Sequence, residues 1–234
     1  MTGGSGDGDM PEGLTVMPGE CLPDVEDRYV YPAIPGTEAW NSASEEEKEK
    51  LCQLPEERIK TGSSYALICG LLDSPRLWDC LLSSHSSPVV TCDRAIFSKH
   101  NSVPEFEKRK DRVQALITYY AAVGRDCYES LDVNAQMNFS IQLHVLEVWF
   151  IRDAILHSMD AAQKKQAVAL LLQKHERKQS YSDASLIAMA WIMYDSQYAP
   201  VRAYYRDGTL HKESSVANRK DDIISFAKNC SQLN

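Results

Sequence analysis

The sequence predicts an all-α protein of about eight to ten helices, arranged as an antiparallel bundle or as an irregular α-α superhelical array. Two observations support this fold class. Apolar residues recur at three- and four-residue steps through most of the chain after residue 43, as expected for amphipathic helices. The β signal, by contrast, is confined to "AYYRDGTLHK", where Asp207 and Gly208 predict at most one short hairpin.

The N-terminal part of the chain differs in composition from the rest. Residues 1–28 are rich in Gly, Pro and acidic residues and have little to bury, so they are predicted to be disordered, or to be a linker or tag remnant. Residues 29–234 are predicted to form a single helical domain that begins with an extended arm over residues 29–43. In the arm sequence "YVYPAIPGTEAW", Pro32 and Pro35 favour extended backbone at the residues before them.

The helices follow in order, each predicted from a cap, a breaker or apolar spacing. Ser44 and Glu47 form a capping box at the start of "SEEEKEKLCQL". Later segments with helical signals are "PEERIK", "YALICGLLD", "PRLWDCLLSS", residues 89–99, "PEFEKRKDRVQALITYYAAVG", "FSIQLHVLEVWFIRDAIL", "AAQKKQAVALLLQKHERK", "ASLIAMAWIMYDS" and residues 216–230. Gly124 ends the clearest amphipathic helix, Asp160 with Gln163 and Ser180 with Asp183 cap two later ones, and "ASLIAMAWIMYDS" is predicted to be fully buried because it is apolar on all sides.

Composition and charge exclude some functions. With 44% hydrophobic and 25% charged residues, the chain has an ordinary globular composition. Its net charge of -8, without a basic stripe, argues against nucleic-acid binding. The apolar runs are too short for a transmembrane segment, and the first residues lack the pattern of a signal peptide. The beginning "MTGGSGDGDMPEG" leaves three origins open: a tag remnant, a trimmed export segment or a cytoplasmic start.

The seven cysteines carry little functional information by themselves. Their spacing is irregular and contains no C-x-x-C pair, which argues against zinc ribbons and thioredoxin-like motifs. Because the count is odd, at least one thiol is unpaired unless it bridges two chains. Those inside apolar helical segments, such as Cys69, are interpreted as buried and inert thiols.

Two motifs resemble those of a known family. "YPAIPGTEAW" fits a Y-P-x-x-P-G-T-x-x-W element, and "CQLPE" at residues 52–56 fits a C-Q-[IL]-P-E element. Together they resemble the start of a family of mostly helical, usually exported or lipid-anchored proteins of gut Bacteroidetes, for which no activity is established. The resemblance implies an all-helical fold and export to the periplasm or cell surface, with a cytoplasmic location as the alternative. Cys21 is not preceded by an apolar stretch, so it is not predicted to carry a lipid.

No catalytic, cofactor-binding or metal-binding residue is predicted. The chain lacks G-x-S-x-G, H-E-x-x-H, Walker and G-x-G-x-x-G motifs. His144 with Glu147, and Asp153 with His157, are helix-spaced pairs on opposite faces of one predicted helix, and each offers only two ligands. They are interpreted as local surface pairs, or as a histidine that meets the dipole at a helix C-terminus.

The arm remains the sequence's candidate contact region. Tyr29, Tyr31 and Trp40 are candidate contacts for a glycan or peptide by stacking. The preferred interpretation is a structural arm, in which these rings and Ile34 are buried across a helix groove. The sequence thus favours a non-catalytic binding or interaction protein of the bacterial cell envelope, with a protein or a glycan as partner. The alternative is a hydrolase-like enzyme whose site is assembled from dispersed residues, for example a cysteine with one of the six histidines.

Overall fold

A computed structural model describes residues 12–15, 21–82, 88–124, 127–176, 183–205 and 219–232. These residues are mostly helical, and their only sheet is a two-stranded antiparallel ladder. The predicted all-α fold class, with at most one short hairpin, is confirmed. Among the described helices, none is long and apolar enough to cross a membrane.

Short elements lead from the N-terminus into longer helices. The strands are β1 (Leu14–Thr15) and β2 (Asp24–Val25). The first helices are α1 (Glu38–Ser42), α2 (Glu45–Leu51), α3 (Glu56–Thr61), α4 (Ser64–Leu72), α5 (Asp79–Leu82), α6 (Pro88–Cys92), α7 (Ser102–Phe106) and α8 (Arg112–Ala122). The later ones are α9 (Val133–Phe150), α10 (Asp153–Leu156), α11 (Ala161–Glu176), α12 (Ala184–Asp195), α13 (Ala199–Tyr204) and α14 (Lys220–Gln232). A π-helical turn spans Asp93–Phe97 and a 3-10 turn spans Tyr128–Ser130.

Two helical groups share one core, and α9 contacts both. In the N-terminal group α4 packs on α7 and α8, and in the C-terminal group α12 packs on α11 and α14. Helix α9 contacts α8 of the first group and α12 of the second. Trp149 at the end of α9 is fully buried and packs edge-on against Phe97 and Phe106. Helix α12 is buried along most of its length, as its uniformly apolar sequence predicts.

Part of the segment predicted to be disordered is folded. Leu14 pairs with Val25 in the β1–β2 ladder, and both side chains are buried in the core. Cys21 forms a disulfide with Cys127, with a Cα–Cα distance of 5.3 Å. The prediction of disorder over residues 1–28 is therefore wrong for residues 12–15 and 21–28. It failed because long-range pairing and a cross-link stabilise this segment, and neither leaves a local pattern in the sequence.

The cysteines also require a correction. Cys80 and Cys92 form a second disulfide, so four of the seven cysteines are cross-linked and are not inert thiols. Cys69 is a free buried thiol, as predicted, and Cys52 is another. The spacing gave no indication of which cysteines pair, since pairing depends on the fold.

Two helices predicted as continuous are broken. The amphipathic helix divides into α7 and α8 at residues 107–111, and the central helix divides into α9 and α10 at Ile151 and Arg152. The two breaks face each other, because the Arg152 guanidinium pairs with the Glu107 carboxylate. The Arg109 side chain donates to the Ile59 carbonyl at 3.1 Å. Backbone N–H groups at both breaks bond to carbonyls three residues back. The tertiary contacts of Arg109 and Arg152 hold the breaks in place.

The predicted helix caps at Ser44 and Asp160 lie among the described residues. The capping box of Ser44 and Glu47 is present, and Asp160 and Gln163 exchange the same pair of bonds at the start of α11. Both predictions are confirmed. The hairpin signal at Asp207 and Gly208, and the cap residue Ser180, lie outside the described residues.

Candidate functional site

The N-terminal arm reaches the core through one tyrosine. Along the extended segment before α1 the side chains alternate, with Val30 exposed by 83%, Tyr31 by 7%, and Ala33 buried between exposed neighbours. The Tyr31 hydroxyl donates to the Gly70 carbonyl at 2.7 Å and lies 2.9 Å from Nε2 of His100. The arm is thus fixed to α4 and to the segment that follows the π-helical turn.

These bonds define the state of His100. Because the Tyr31 hydroxyl hydrogen points to Gly70, its oxygen accepts from His100 Nε2, which therefore carries the proton. Nδ1 is then the acceptor, and Ser102 approaches it with its hydroxyl at 2.8 Å and its backbone N–H at 3.2 Å. Burial lowers the pKa of His100 to about 4, against the smaller raising effect of a backbone hydrogen bond with Cys52. The imidazole is neutral at physiological pH and is engaged at both nitrogens.

Asn101, the residue after His100, holds the "CQLPE" segment against this histidine. The Asn101 side chain accepts from the Leu54 N–H at 3.0 Å and donates to the Leu54 carbonyl at 2.8 Å. Its own N–H donates to the Gln53 side chain at 2.8 Å. The Leu54 side chain packs so closely on Gly70 that a Cβ there would lie 2.6 Å from it. The two motifs "YPAIPGTEAW" and "CQLPE" therefore meet at His100 and Asn101.

A pocket of about 350 Å³ opens where these segments meet. One wall is apolar and comes from the π-helical turn, and the rim is polar and charged. The buried side chains of Cys52 and His100 lie at its base. The residues that line it are Glu49, Cys52, Gln53, Ser74, Arg76, Ala95, Ile96, Lys99 and His100.

The charges at the rim are arranged unevenly. Arg76 is held by the Glu45 carboxylate, and more distant carboxylate oxygens of Glu49 and Asp79 each lie 4.0 Å away. Lys99 is exposed at the mouth. Below them, burial raises the pKa of the Cys52 thiol to about 11, despite the opposing effect of the nearby Arg76 charge. The Arg76 charge at the pocket is therefore balanced by carboxylates, Lys99 adds an exposed ammonium, and Cys52 contributes a neutral thiol.

The residues that the sequence predicts as ligand contacts differ in how deeply they are buried. Tyr31 is no longer a candidate for an exposed contact, because its ring is buried and its hydroxyl is used by the fold. Tyr29 is half-buried and packs edge-on against Tyr31, with ring centres 5.0 Å apart. Trp40 is half-buried in α1, with the Lys48 ammonium 5.8 Å from its ring centre. Ile34, expected to be buried in the arm's groove, is 49% exposed, and Ala33 occupies the inward position instead.

The two helix-spaced pairs lie on different helices, the first in α9 and the second at α10. His144 and Glu147 are buried and are not a surface pair. Glu147 accepts from the Tyr120 hydroxyl at 3.1 Å. Exposed His157 caps the C-terminus of α10, and its Nε2 lies 3.6 Å from a carboxylate oxygen of Asp195. The surface-pair interpretation of His144 and Glu147 is wrong because α9 is covered on several sides by other helices.

The comparisons with known proteins return no match. No family model matches this chain, and neither a curated protein nor a solved structure matches it. The resemblance to the Bacteroidetes family remains a prediction from its motifs.

Sequence reasoning missed most of this pocket. His100 and Asn101 follow a short segment with no motif, and nothing nearby indicates that they face residues 52–54. The available signal was the pair of motifs itself. Because the "YPAIPGTEAW" and "CQLPE" segments carry the same resemblance, the sequence could have predicted that they belong to one site.

Proposed function

We propose that the protein is a non-catalytic binding protein of the bacterial cell envelope, and that the pocket at Cys52 and His100 receives a small polar group of a peptide or a glycan. The observation that carries this proposal is the convergence of both motifs on the pocket. The arm fixes His100 through Tyr31, and the C-Q-L-P-E turn supplies Cys52 and Gln53 to the lining.

The dimensions and chemistry of the pocket fit such a group. A volume of about 350 Å³ is near the lower end of the roughly 300–1,000 Å³ typical of ligand sites. It suits one sugar unit or one amino-acid residue better than a large cofactor. Gln53, Arg76 and Lys99 offer hydrogen-bond donors to hydroxyl or carboxyl groups, while Ala95 and Ile96 offer an apolar face.

The disulfides support the envelope location. Cys21–Cys127 and Cys80–Cys92 are both buried, and disulfides of this kind persist in oxidising compartments outside the cytoplasm. This agrees with the export that the family resemblance implies.

One observation favours the alternative, a hydrolase-like enzyme, since Cys52 and His100 line the same pocket. The protonation states oppose it. A thiol with a pKa near 11 is a poor nucleophile at neutral pH. His100, the base that such an enzyme would need, would have to release Tyr31 or Ser102 before either ring nitrogen could accept the thiol proton. Binding is therefore preferred to catalysis.

The experiment is a thermal-shift screen of the full chain with peptides, glycans and peptidoglycan fragments. A ligand at about 100 times its dissociation constant should stabilise the fold by roughly 2.7 kcal/mol. Lys99→Ala should weaken binding of a hit, whereas Lys110→Ala, a change at an exposed lysine that does not line the pocket, should leave it unchanged. A flat screen, or equal effects of the two variants, would contradict the proposal.

The same sample separates binding from catalysis. Iodoacetamide should alkylate Cys52 slowly at neutral pH, and ester and amide substrates should not be turned over. Rapid alkylation together with hydrolysis lost in Cys52→Ser would instead favour the enzyme.

A further inference from the structure

A cluster of two cysteines and a histidine lies apart from the pocket. Cys80 in α5, Cys92 at the end of α6 and His144 in α9 are all buried, with exposures of 1%, 0% and 1%. Their two sulfur atoms and one imidazole nitrogen all lie within 4.8 Å of one another. The cysteines are joined as a disulfide in this structure. We propose that reduction of this disulfide creates a binding site for one thiophilic cation, Zn²⁺ or Cu⁺, held by Cys80, Cys92 and His144.

The ligand chemistry selects this class of ion. Thiolates prefer Zn²⁺ and Cu⁺, and imidazole suits both, whereas Mg²⁺ and Ca²⁺ prefer oxygen ligands. Two thiolates and one imidazole form a Cys₂His set, which binds zinc with a fourth position left to another ligand. The same set can hold Cu⁺ without a fourth ligand.

The separations after reduction also fit. In a tetrahedral site, Zn–S bonds of about 2.3 Å and Zn–N bonds of about 2.0 Å place the ligand atoms roughly 3.5–3.8 Å apart. When the S–S bond is cut, van der Waals repulsion moves the sulfurs apart to about this distance. The imidazole is already within 4.8 Å of both sulfurs. Only side-chain adjustments of an ångström or two are needed.

The surrounding elements hold the three ligands in place. The Trp78 indole N–H donates to the Asn138 side chain at 2.9 Å, which links the start of α5 to α9. The Gln142 side chain donates to the Leu72 carbonyl at 3.2 Å, which links α9 to the end of α4. A π-helical turn begins directly after Cys92, and such turns are frequent at functional sites. Helix α6, which carries Cys92, packs on α5 and on α9. Each ligand therefore lies on an element that has contacts other than the disulfide.

The redox step balances with a dithiol reductant. The reductant transfers two electrons and two protons to the Cys80–Cys92 bond, forms its own disulfide and leaves two protein thiols. The cation then displaces the two thiol protons and binds the thiolates and the neutral imidazole. Oxidation of the pair by a disulfide would release the ion, so the site is available in one redox state only.

The test measures metal retention by the full chain. The protein is reduced without oxygen, given Zn²⁺ alone or Cu⁺ alone, and freed of unbound metal on a desalting column. One ion per chain is expected for the reduced protein in at least one of the two arms, and almost none for the oxidised protein. His144→Gln should weaken binding about a hundredfold or more, since the loss of mere supporting contacts already costs 10–100-fold.

Two matched variants control for other ligands. His157→Gln changes an exposed histidine, and Cys69→Ser changes a buried free thiol outside the cluster. Both should retain one ion per chain. If the reduced wild-type protein retains neither ion, or if His144→Gln binds as tightly as His157→Gln, the proposal is overturned.

Alkylation of the wild-type protein gives a second measurement that needs no variant. The reduced chain is treated with iodoacetamide for long enough that the buried Cys80 and Cys92 react in the metal-free sample. Peptide mass spectrometry should then show both cysteines protected by the bound ion, while Cys230 reacts equally with and without it. If reduction unfolds the protein, the ion should restore a cooperative melting transition. Labelling of Cys80 and Cys92 that is unaffected by metal, or a reduced chain that metal does not refold, contradicts the site.

Discussion

Acidification should destabilise this protein through His100. Its pKa is about 4 in the folded protein, and its ordinary value is 6.5. Between these values the unfolded chain binds the proton and the folded protein does not, so the free energy of unfolding falls as the pH falls. The difference of about 2.5 pKa units lowers the free energy of unfolding by roughly 3.4 kcal/mol once the pH is well below both pKa values. At about pH 4.5 the loss is roughly 2.5 kcal/mol. Because His100 is buried, solvent screening reduces this contribution little.

The structural reason lies in the ring's partners. A second proton on the imidazole would sit on Nδ1, which faces the Ser102 backbone N–H at 3.2 Å and would turn an accepted bond into a repulsion. The other nitrogen already donates toward Tyr31. Protonation therefore requires the Ser102 turn to move.

The assay is urea unfolding of the wild type and His100→Gln at about pH 7 and about pH 4.5. Carboxylates and other histidines titrate in both proteins, so their effects cancel in the difference between the two. The wild type's free energy of unfolding, relative to that of the variant, should fall by about 2.5 kcal/mol on acidification. A change below about 0.5 kcal/mol for His100→Gln would refute the neutral, fully bonded imidazole.

Three further predictions test the fold by urea unfolding. Tyr31→Phe should lower the free energy of unfolding by roughly 2 kcal/mol, because it leaves buried polar groups without their partner. Tyr29→Phe, at the half-buried neighbour, should lower it by less than about 0.5 kcal/mol. Equal effects of the two changes would contradict the role of the Tyr31 hydroxyl. Joint replacement of Cys21 and Cys127 by Ser should lower the free energy of unfolding by about 4–5 kcal/mol, because the disulfide closes a loop with a sequence separation of 106. An unchanged urea midpoint would show that the disulfide does not form. Leu116→Ala, at a side chain with no exposed surface, should cost about 2–5 kcal/mol, and a cost below about 1 kcal/mol would place this residue outside the core.

Local sequence patterns determined which parts of the chain are helical. The capping box at Ser44 and the bonds between Asp160 and Gln163 involve residues three apart, so they could be predicted without the fold. The burial of α12 also followed from its sequence, because a helix that is apolar on all sides needs neighbours on all sides. The arm could be recognised as extended because proline restricts the residue before it.

Tertiary structure alone decided where the long helices break and what the arm holds. Residues 107 and 152 lie within helical patterns, yet an ion pair between distant side chains stabilises both breaks. The Cys21–Cys127 bond and the Tyr31–His100 contact join residues separated by 106 and 69 positions. Such pairings are set by the packing of whole helices, whereas sequence periodicity reports only on neighbours within a few turns. The helices could therefore be predicted from the sequence, but the candidate pocket and the buried Cys₂His cluster could not.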